Sequence, residues 1–467
     1  MTTLDYIKST HPLYAENARL ANYLYRSYIG GQLYRDGEYL TKYYGEDEDG
    51  QQNLYLKRLN ATPLNNYVKT TVDIYRSFLF RELPTRTLGN LYNNPLVQQW
   101  IKDVDMEGQG MDSFMKTVND LAMVSGSVFI LIDKPAYRVE TQAQEIALGI
   151  RPYACVFTPQ NVLDWNYHRS INGKRELDYI KYVESSSNHH SHIVEWKLDK
   201  ICRYTVSHDA EGNMDAIIDV EEYDNPLGYI PIINYAPVPS PNKGIGYSMI
   251  EDVADLQRFI YNQYSELEQQ IRISGHPTLV KTPETKATAG AGSIVTMPED
   301  LDPGLTPFLL EPNGNQVNSV LDTIEKSIEA IQRMTHTSAV QATKGSPMSG
   351  TALQTERQLL NSRLSDMADS LQETETKMWK IWSDWSNIQL PQDFNINYID
   401  TFDIRDTHAT AELLRKVHEL VPHDAFHEYV HKEVVDLIVE DPQVAQELKA
   451  TIEMEHAQGA INTEVNE

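Results

Sequence analysis

One apolar stripe near residues 351–390 constrains this chain more than any other feature. Leu360, Leu364, Met367, Leu371, Met378, Ile381 and Trp385 advance in alternating steps of four and three, with Thr374 at the single polar position. That period predicts a helix of about 35 residues, ~50 Å long, burying one side throughout. Thr351 with Gln354 fits a capping box at its start, and Pro391 ends it. Any fold for this chain must house that rod.

Other long helices precede it. Ser248 to Ile273 reads as one helix of about 25 residues, ~38 Å, closed by Gly275-His-Pro277. Residues 277–316 are rich in Pro, Gly and Thr with short apolar runs, which predicts a small β-containing insertion. A second helix follows from about Val317 to Met334, then a helix-free linker, Thr335 to Ser349, containing Lys344-Gly345-Ser346-Pro347.

The first half is mixed. Tyr14 to Tyr34 is amphipathic and interrupted by Gly30-Gly31; Asn65–Phe80 and Met111–Val124 are further helical stretches. Gly126–Asp133 is a continuous apolar, β-branched run, the pattern of a buried strand. Tyr153–Thr158 and Asn161–Trp165 follow, and then Leu177–Glu184, His192–Lys197, Ile201–Val206 and Ala216–Tyr223, separated by polar turns as in an antiparallel meander. Pro237, Pro239 and Pro241 mark a boundary. Asn395–Tyr398 is a short strand candidate, and the acidic remainder, from about Thr407, is helical in pattern. The expected class is α+β, mainly helical.

At 467 residues the chain holds about three domains' worth of sequence at ~150 residues each. It is 41% hydrophobic and 23% charged, enough to bury a core, which excludes a disordered acidic tail protein. Its 67 acidic against 40 basic residues, a net charge of −27, argue against a sequence-reading DNA binder. Cys155 and Cys202 cannot make a disulfide framework and lack metal-ligand spacing, so a reducing compartment is expected. The start, Met1 to Lys8, lacks a basic-then-apolar leader, and no run approaches ~18 apolar residues. The expectation is a soluble, intracellular chain without a membrane span.

The motifs with catalytic potential are weak. His427-Glu428-Tyr429-Val430-His431 is a literal H-E-x-x-H, which on a helix presents two imidazoles and a general base to zinc, and His423 extends the face. Metalloprotease helices keep uncharged residues after the second histidine, whereas Lys432-Glu433 stand here, as on a solvated face. Gly244-Ile-Gly246 lacks the third glycine of a dinucleotide loop and the lysine of a P-loop. His189-His190-Ser191-His192 lies in a hairpin turn and reads as incidental. Glu46-Asp47-Glu48-Asp49-Gly50 has the wrong frame for a calcium loop and reads as a solvated turn. The residues give no active site, no cofactor and no metal set.

The order of elements resembles the portal proteins of tailed bacteriophages: two helices around a small β insertion, a Gly/Ser loop, then a very long helix. Local phrases agree along some 350 residues. They are Tyr55-Leu-Lys-Arg58 with Asn65-Asn66-Tyr67 and Thr71-Val72, Val124-Ser-Gly126 leading to Ile132-Asp-Lys-Pro135, and Thr158-Pro159-Gln-Asn161-Val162 with Trp165. Gly246-Tyr-Ser248 and Ser349-Gly350-Thr-Ala352-Leu353 open the two long helices.

The resemblance implies a wing over residues 1–247, stem helices at 248–274 and 317–334, a clip at 275–316 and a tunnel loop at 335–350. The long helix and return to the wing take 351–404, and a helical acidic crown takes 405–467. It implies a non-enzymatic homo-oligomeric ring, usually of twelve copies, at one capsid vertex of the virion, assembled in the host cytoplasm. Double-stranded DNA passes through it during packaging and ejection. Terminase and then a head–tail adaptor dock on it, and capsid and scaffold proteins meet the wing. The residues expected at the tunnel loop are Thr343, Lys344, Gly345 and Ser346; at the stem channel face, Arg258, Glu266 and Arg272; at the clip, Lys281, Thr285 and Lys286. An acidic lining suits a channel along which DNA slides, because basic residues would hold phosphates through counterion release. The alternatives are a zinc-dependent hydrolase using His427, Glu428 and His431, or another structural assembly protein with the same long helices.

Overall fold

The computed structural model describes residues 3–46, 54–135, 144–145, 148–187, 189–275, 278–283, 285, 296–297, 299–300, 302–310, 315–341, 350–399 and 402, with short helical stretches between 414 and 452. Met1–Phe402 form one unit and Asp403–Glu467 a second.

The chain begins with α1 (Thr3–Lys8), α2 (Tyr14–Ile29) and α3 (Gly31–Arg35), the last two separated at the expected glycine pair. Then come α4 (Leu54–Ala61), α5 (Tyr67–Leu79), β1 (Thr85–Thr87), α6 (Pro95–Lys102) and α7 (Met111–Ser125). Two caps explain where α5 and α6 start. Asn66 accepts from Lys69 N at 2.8 Å, and Asn94 accepts from Leu96 N at 2.9 Å with Pro95 in the first turn. The α4 and α6 helices escape the periodicity reading because each is only eight residues long.

Two antiparallel sheets form the middle. The first has β2 (Val128–Asp133) flanked by β3 (Tyr153–Phe157) and β9 (Ile232–Tyr235), and all six β2 residues are buried. The second is the expected meander in simple order: β4 (Val162–Arg169), β5 (Arg175–Ser186), β6 (His190–Lys197), β7 (Lys200–His208) and β8 (Met214–Asp224). Between the sheets lies a core of Phe129, Leu131, Phe157, Trp165, Tyr182 and Trp196 with their neighbours. The β2 strand also meets α7 and the long helix. Burial on both faces is why its sequence is continuously apolar rather than alternating.

On the opposite face of the meander, Ile7 of α1 packs on Leu163, Ile193, Cys202 and Val206. This cover is held by buried charge. Lys181 reaches Tyr6 O at 2.9 Å and Ser9 O at 2.7 Å, while Glu195 accepts from Tyr6 and Tyr204. Burial holds the Lys181 pKa below its ordinary value.

Beyond the meander the chain becomes rods. Helix α8 (Glu251–Gly275) leads out to β10 (Thr278–Val280), which pairs antiparallel with β11 (Phe308–Leu310). Helix α9 (Asn315–Met334) returns against α8, and a short α10 (Ser338–Gln341) follows. The long helix is α11 (Gly350–Ser386), 37 residues. β12 (Asn395–Asn397) then pairs with β1, tying the chain back to its first third. The capping box expected at Thr351 and Gln354 lies outside the described side chains. Among the described residues no helix is long and apolar enough to cross a membrane.

Candidate functional site

The α8–β10–β11–α9 segment runs out and back as a helix pair joined by a two-stranded sheet, and its placement depends on how α8 is seated. Just before it, residues 244–248 cross the α7–β2 turn with backbone against backbone. A Cβ on Gly246 would lie 2.0 Å from Gly126 O, and one on Gly126 would lie 2.4 Å from Gly246 O. No other residue fits either position. Ser248 Oγ donates to Val124 O at 2.8 Å and Met249 N to Met123 O at 3.1 Å, fixing the start of α8 on the end of α7. Gly246 of Gly244-Ile-Gly246 therefore serves a chain crossing, and Gly244, at φ +88°, lies against the Trp165 indole.

Polar side chains along α8 then engage main-chain groups of the N-terminal helices and loop. Buried Gln257 accepts from Val68 N at 3.0 Å and donates to Ser27 O at 3.1 Å. Asn262 accepts from Thr41 N at 2.8 Å and donates to Tyr39 O at 3.1 Å. Ser265 accepts from the guanidinium of Arg58 at 2.8 Å. Arg58 is itself buried, donates to both oxygens of Glu46 at 2.9 and 2.7 Å, and lies 3.9 Å from the centre of the Tyr43 ring. The Arg58 hydrogen bonds hold the Glu46 pKa below its ordinary value. Burial opposes the Arg58 charge, but Glu46 prevails and the Arg58 pKa rises. The acidic run 46–50 is thus not simply a solvated turn: its first carboxylate is a buried partner, while 47–50 lie outside the described residues.

At the far end, Lys281 Nζ donates to Thr285 O at 2.8 Å, and the hydroxyls of Thr282 and Thr285 are 2.9 Å apart. Thr285 is buried within that turn.

Residues 32–407, most of the chain, match the family model described as "Phage portal protein, SPP1 Gp6-like". The chain belongs to this family. A portal protein is a structural, non-catalytic part of the virion's head–tail connector, an oligomeric ring at a capsid vertex. Two solved structures similar to this portal chain are described as the neck of an empty GTA particle computed with C6 symmetry and the neck of a native GTA particle computed with C12 symmetry. The first is 9% identical with a TM-score of 0.41, covering 82% of this chain and 94% of that one. The second is 10% identical with a TM-score of 0.37, covering 82% and 93%. No curated protein matches.

The residues expected to matter in the portal chain are distributed as follows. Arg258 is exposed, 3.2 Å from Asp255 and 5.4 Å from the Tyr23 ring centre. Arg272 is exposed and pairs with Glu268 one turn back. Glu266 is half-buried and accepts from Tyr43, whose pKa burial and this carboxylate push up to about 12. These three side chains are therefore not one cluster. Thr343, Lys344, Gly345, Ser346 and Lys286 lie outside the described residues, as does Glu428, although His427 and His431 fall on helical stretches. Among the described residues no group of three or more His, Cys, Asp or Glu could hold a metal.

Sequence reading missed Gln257, Asn262, Ser265 and Arg58, which seat α8. A signal exists in retrospect: Gln257, Tyr261 and Ser265 recur at i, i+4 and i+8 in line with Val253 and Ile260. A polar residue on a buried face needs a partner.

Proposed function

We propose that twelve copies of this chain close into a ring whose α8–α9 projections surround double-stranded DNA during packaging and ejection. The observation that carries the reading is the portal family match over a chain whose out-and-back helix pair ends in a small β unit and returns to a 37-residue helix. In this reading residues 1–247 with α11 form the wing, and α8 and α9 the stem. The β10–β11 region forms the clip, 335–350 the tunnel loop and 405–467 the crown.

The stem is acid-leaning where it starts. Glu251, Asp252 and Asp255 crowd its first turns, and burial, then the two aspartates, raise the Glu251 pKa. Such a surface repels phosphate and lets a duplex slide, whereas basic residues would exchange counterions and grip. Arg258 and Arg272, each beside a carboxylate, moderate that repulsion, and Glu266, already held by Tyr43, contributes charge rather than contact. Lys344 in Thr343–Ser346 is the proposed phosphate contact. Lys281 and Lys286 belong to the surface proposed for terminase during packaging and for a head–tail adaptor afterwards, while buried Thr285 accepts from Lys281 through its carbonyl and shapes the turn behind it. Capsid and scaffold proteins are the proposed partners of the wing.

Negative-stain electron microscopy of the purified protein, with native mass in parallel, tests the ring. The expected result is closed rings with a channel passing a duplex of about 20 Å, wider than its ~12 Å major groove. A persistent monomer at all salt concentrations would overturn it. Deleting residues 343–348 should spare the ring and impair packaging or DNA retention; loss of the ring itself would contradict the loop assignment.

A further inference from the structure

Helix α9 ends in an unusual joint. Thr337 N donates to Gln332 O at 2.9 Å and His336 N to Arg333 O at 3.2 Å, the paired bonds of a Schellman cap. The position that closes such a cap is left-handed and usually glycine, yet here it is His336, with φ +52°. The joint thus carries backbone strain that glycine would remove. His336 Nδ1 also lies 3.5 Å from Glu356 Oε2 on α11.

Beside this strained residue stands a brace from far away in sequence. The Tyr75 hydroxyl, on α5, donates to Thr335 O at 2.9 Å. Both residues are buried, and Thr335 Oγ1 is 2.8 Å from both Ile331 O and Thr337 Oγ1. Burial pushes the Tyr75 pKa up to about 12, so it stays an O–H donor. Helix α5 also packs against α7, α8 and α11, so the hydroxyl is held by helices outside the joint. Next to the contact is a cavity of about 160 Å³ lined by Thr71, Tyr75, Asp252, Met334, Thr335 and Arg363. It is polar and large enough for water, and gives the joint room to shift.

We propose that Tyr75 is a positioning residue: its hydroxyl braces the strained 334–338 joint and thereby sets where the chain leaves the stem for the tunnel loop. This rests on the assignment of 335–350 as that loop. Deep burial of the ring makes Tyr75→Phe a clean probe, since it removes one oxygen, and with it the bond to Thr335 O, but little packing.

The experiment uses the full-length chain carrying Tyr75→Phe, alone and with His336→Gly. Hydrogen exchange is followed at residues 335–341 and at β2 and α11 as internal references. Virions complemented with each variant are scored for packaged and retained DNA. Tyr75→Phe should keep the assembly state of the parent chain and speed exchange at 335–341 about tenfold with β2 unchanged. Retained DNA should fall several-fold. Adding His336→Gly should bring the exchange back toward the parent rate, because glycine adopts the left-handed conformation without strain. Unchanged exchange at 335–341, or an equal rise in β2 and α11, would overturn the brace. Faster exchange with DNA retention at the parent level would overturn its link to the loop. A parent chain that forms no ring is a separate failure, of the ring reading, and leaves the exchange comparison interpretable.

Discussion

Helices α11 and α8 are both long and both central, yet they differ in the balance of apolar burial and directional contacts that holds them. Along α11, Leu360, Leu364, Met367, Leu371, Met378, Trp379 and Trp382 are buried, an apolar seam on a helix that packs against α5, α7, β2, β9 and β12. Along α8 the decisive contacts are directional: Gln257 and Asn262 each bridge two main-chain groups, and Ser265 receives Arg58. Apolar burial is non-directional and tolerates small slides. A bridged amide does not, since a shift of one ångström breaks both of its bonds. Apolar burial thus dominates the seating of α11, and directional hydrogen bonds fix the register of α8 on the N-terminal helices.

The contrast can be broken at its strongest point first. Trp379→Ala empties a fully buried site beside Trp100 and Trp382 and should cost about 3–5 kcal/mol, read as a lower denaturation midpoint of the whole unit. Arg58→Ala should cost about 3 kcal/mol, because it strands Glu46 in a buried position. Its hydrogen-exchange signature should concentrate in α8 and residues 40–46; a uniform loss of protection would erase the distinction between the two helices. Gln257→Leu keeps the bulk but leaves Val68 N–H and Ser27 C=O unpaired, a loss of about 2 kcal/mol by thermal melting. Equal stability would mean that α8 is seated by packing alone.

Acid gives the gentlest test. The Glu46 pKa is lowered on folding, so its contribution is complete above its unfolded value and disappears as pH falls through the folded one. Protection of α8 should therefore decline below about pH 4.5, the ordinary glutamate range. Glu46→Gln should remove that part of the slope while lowering stability at neutral pH.

Much of α11 was legible in advance because an amphipathic period is a local property: residues three and four apart share a face whatever they meet. One member was not. Glu375 sits on the buried face, where it pairs with Arg86 at 2.5 Å and accepts from Tyr398 at 2.6 Å. A carboxylate in a charged helix reads as surface until its partners appear, and Arg86 stands 289 positions away. Burial works against the Arg86 charge, yet Glu375 and Asp112 hold its pKa above the ordinary arginine value. The meander was equally readable, since its polar turns and short apolar runs repeat locally. The seating of α8 was hidden, because Gln257 looks like any surface glutamine and its partners lie 189 and 230 positions away.

The amino-acid sequence by itself determined the rods, the meander, the out-and-back order and the acidic balance, all of which depend on spacing and composition within a few turns. Tertiary structure alone decided that Gly126 and Gly246 touch, that Glu46 is buried against Arg58, and that Tyr75 braces the end of α9. Each of these joins groups more than ten positions apart, most of them more than a hundred. A polar side chain's role is set by the partner that satisfies it, and only the folded chain brings that partner within 3 Å.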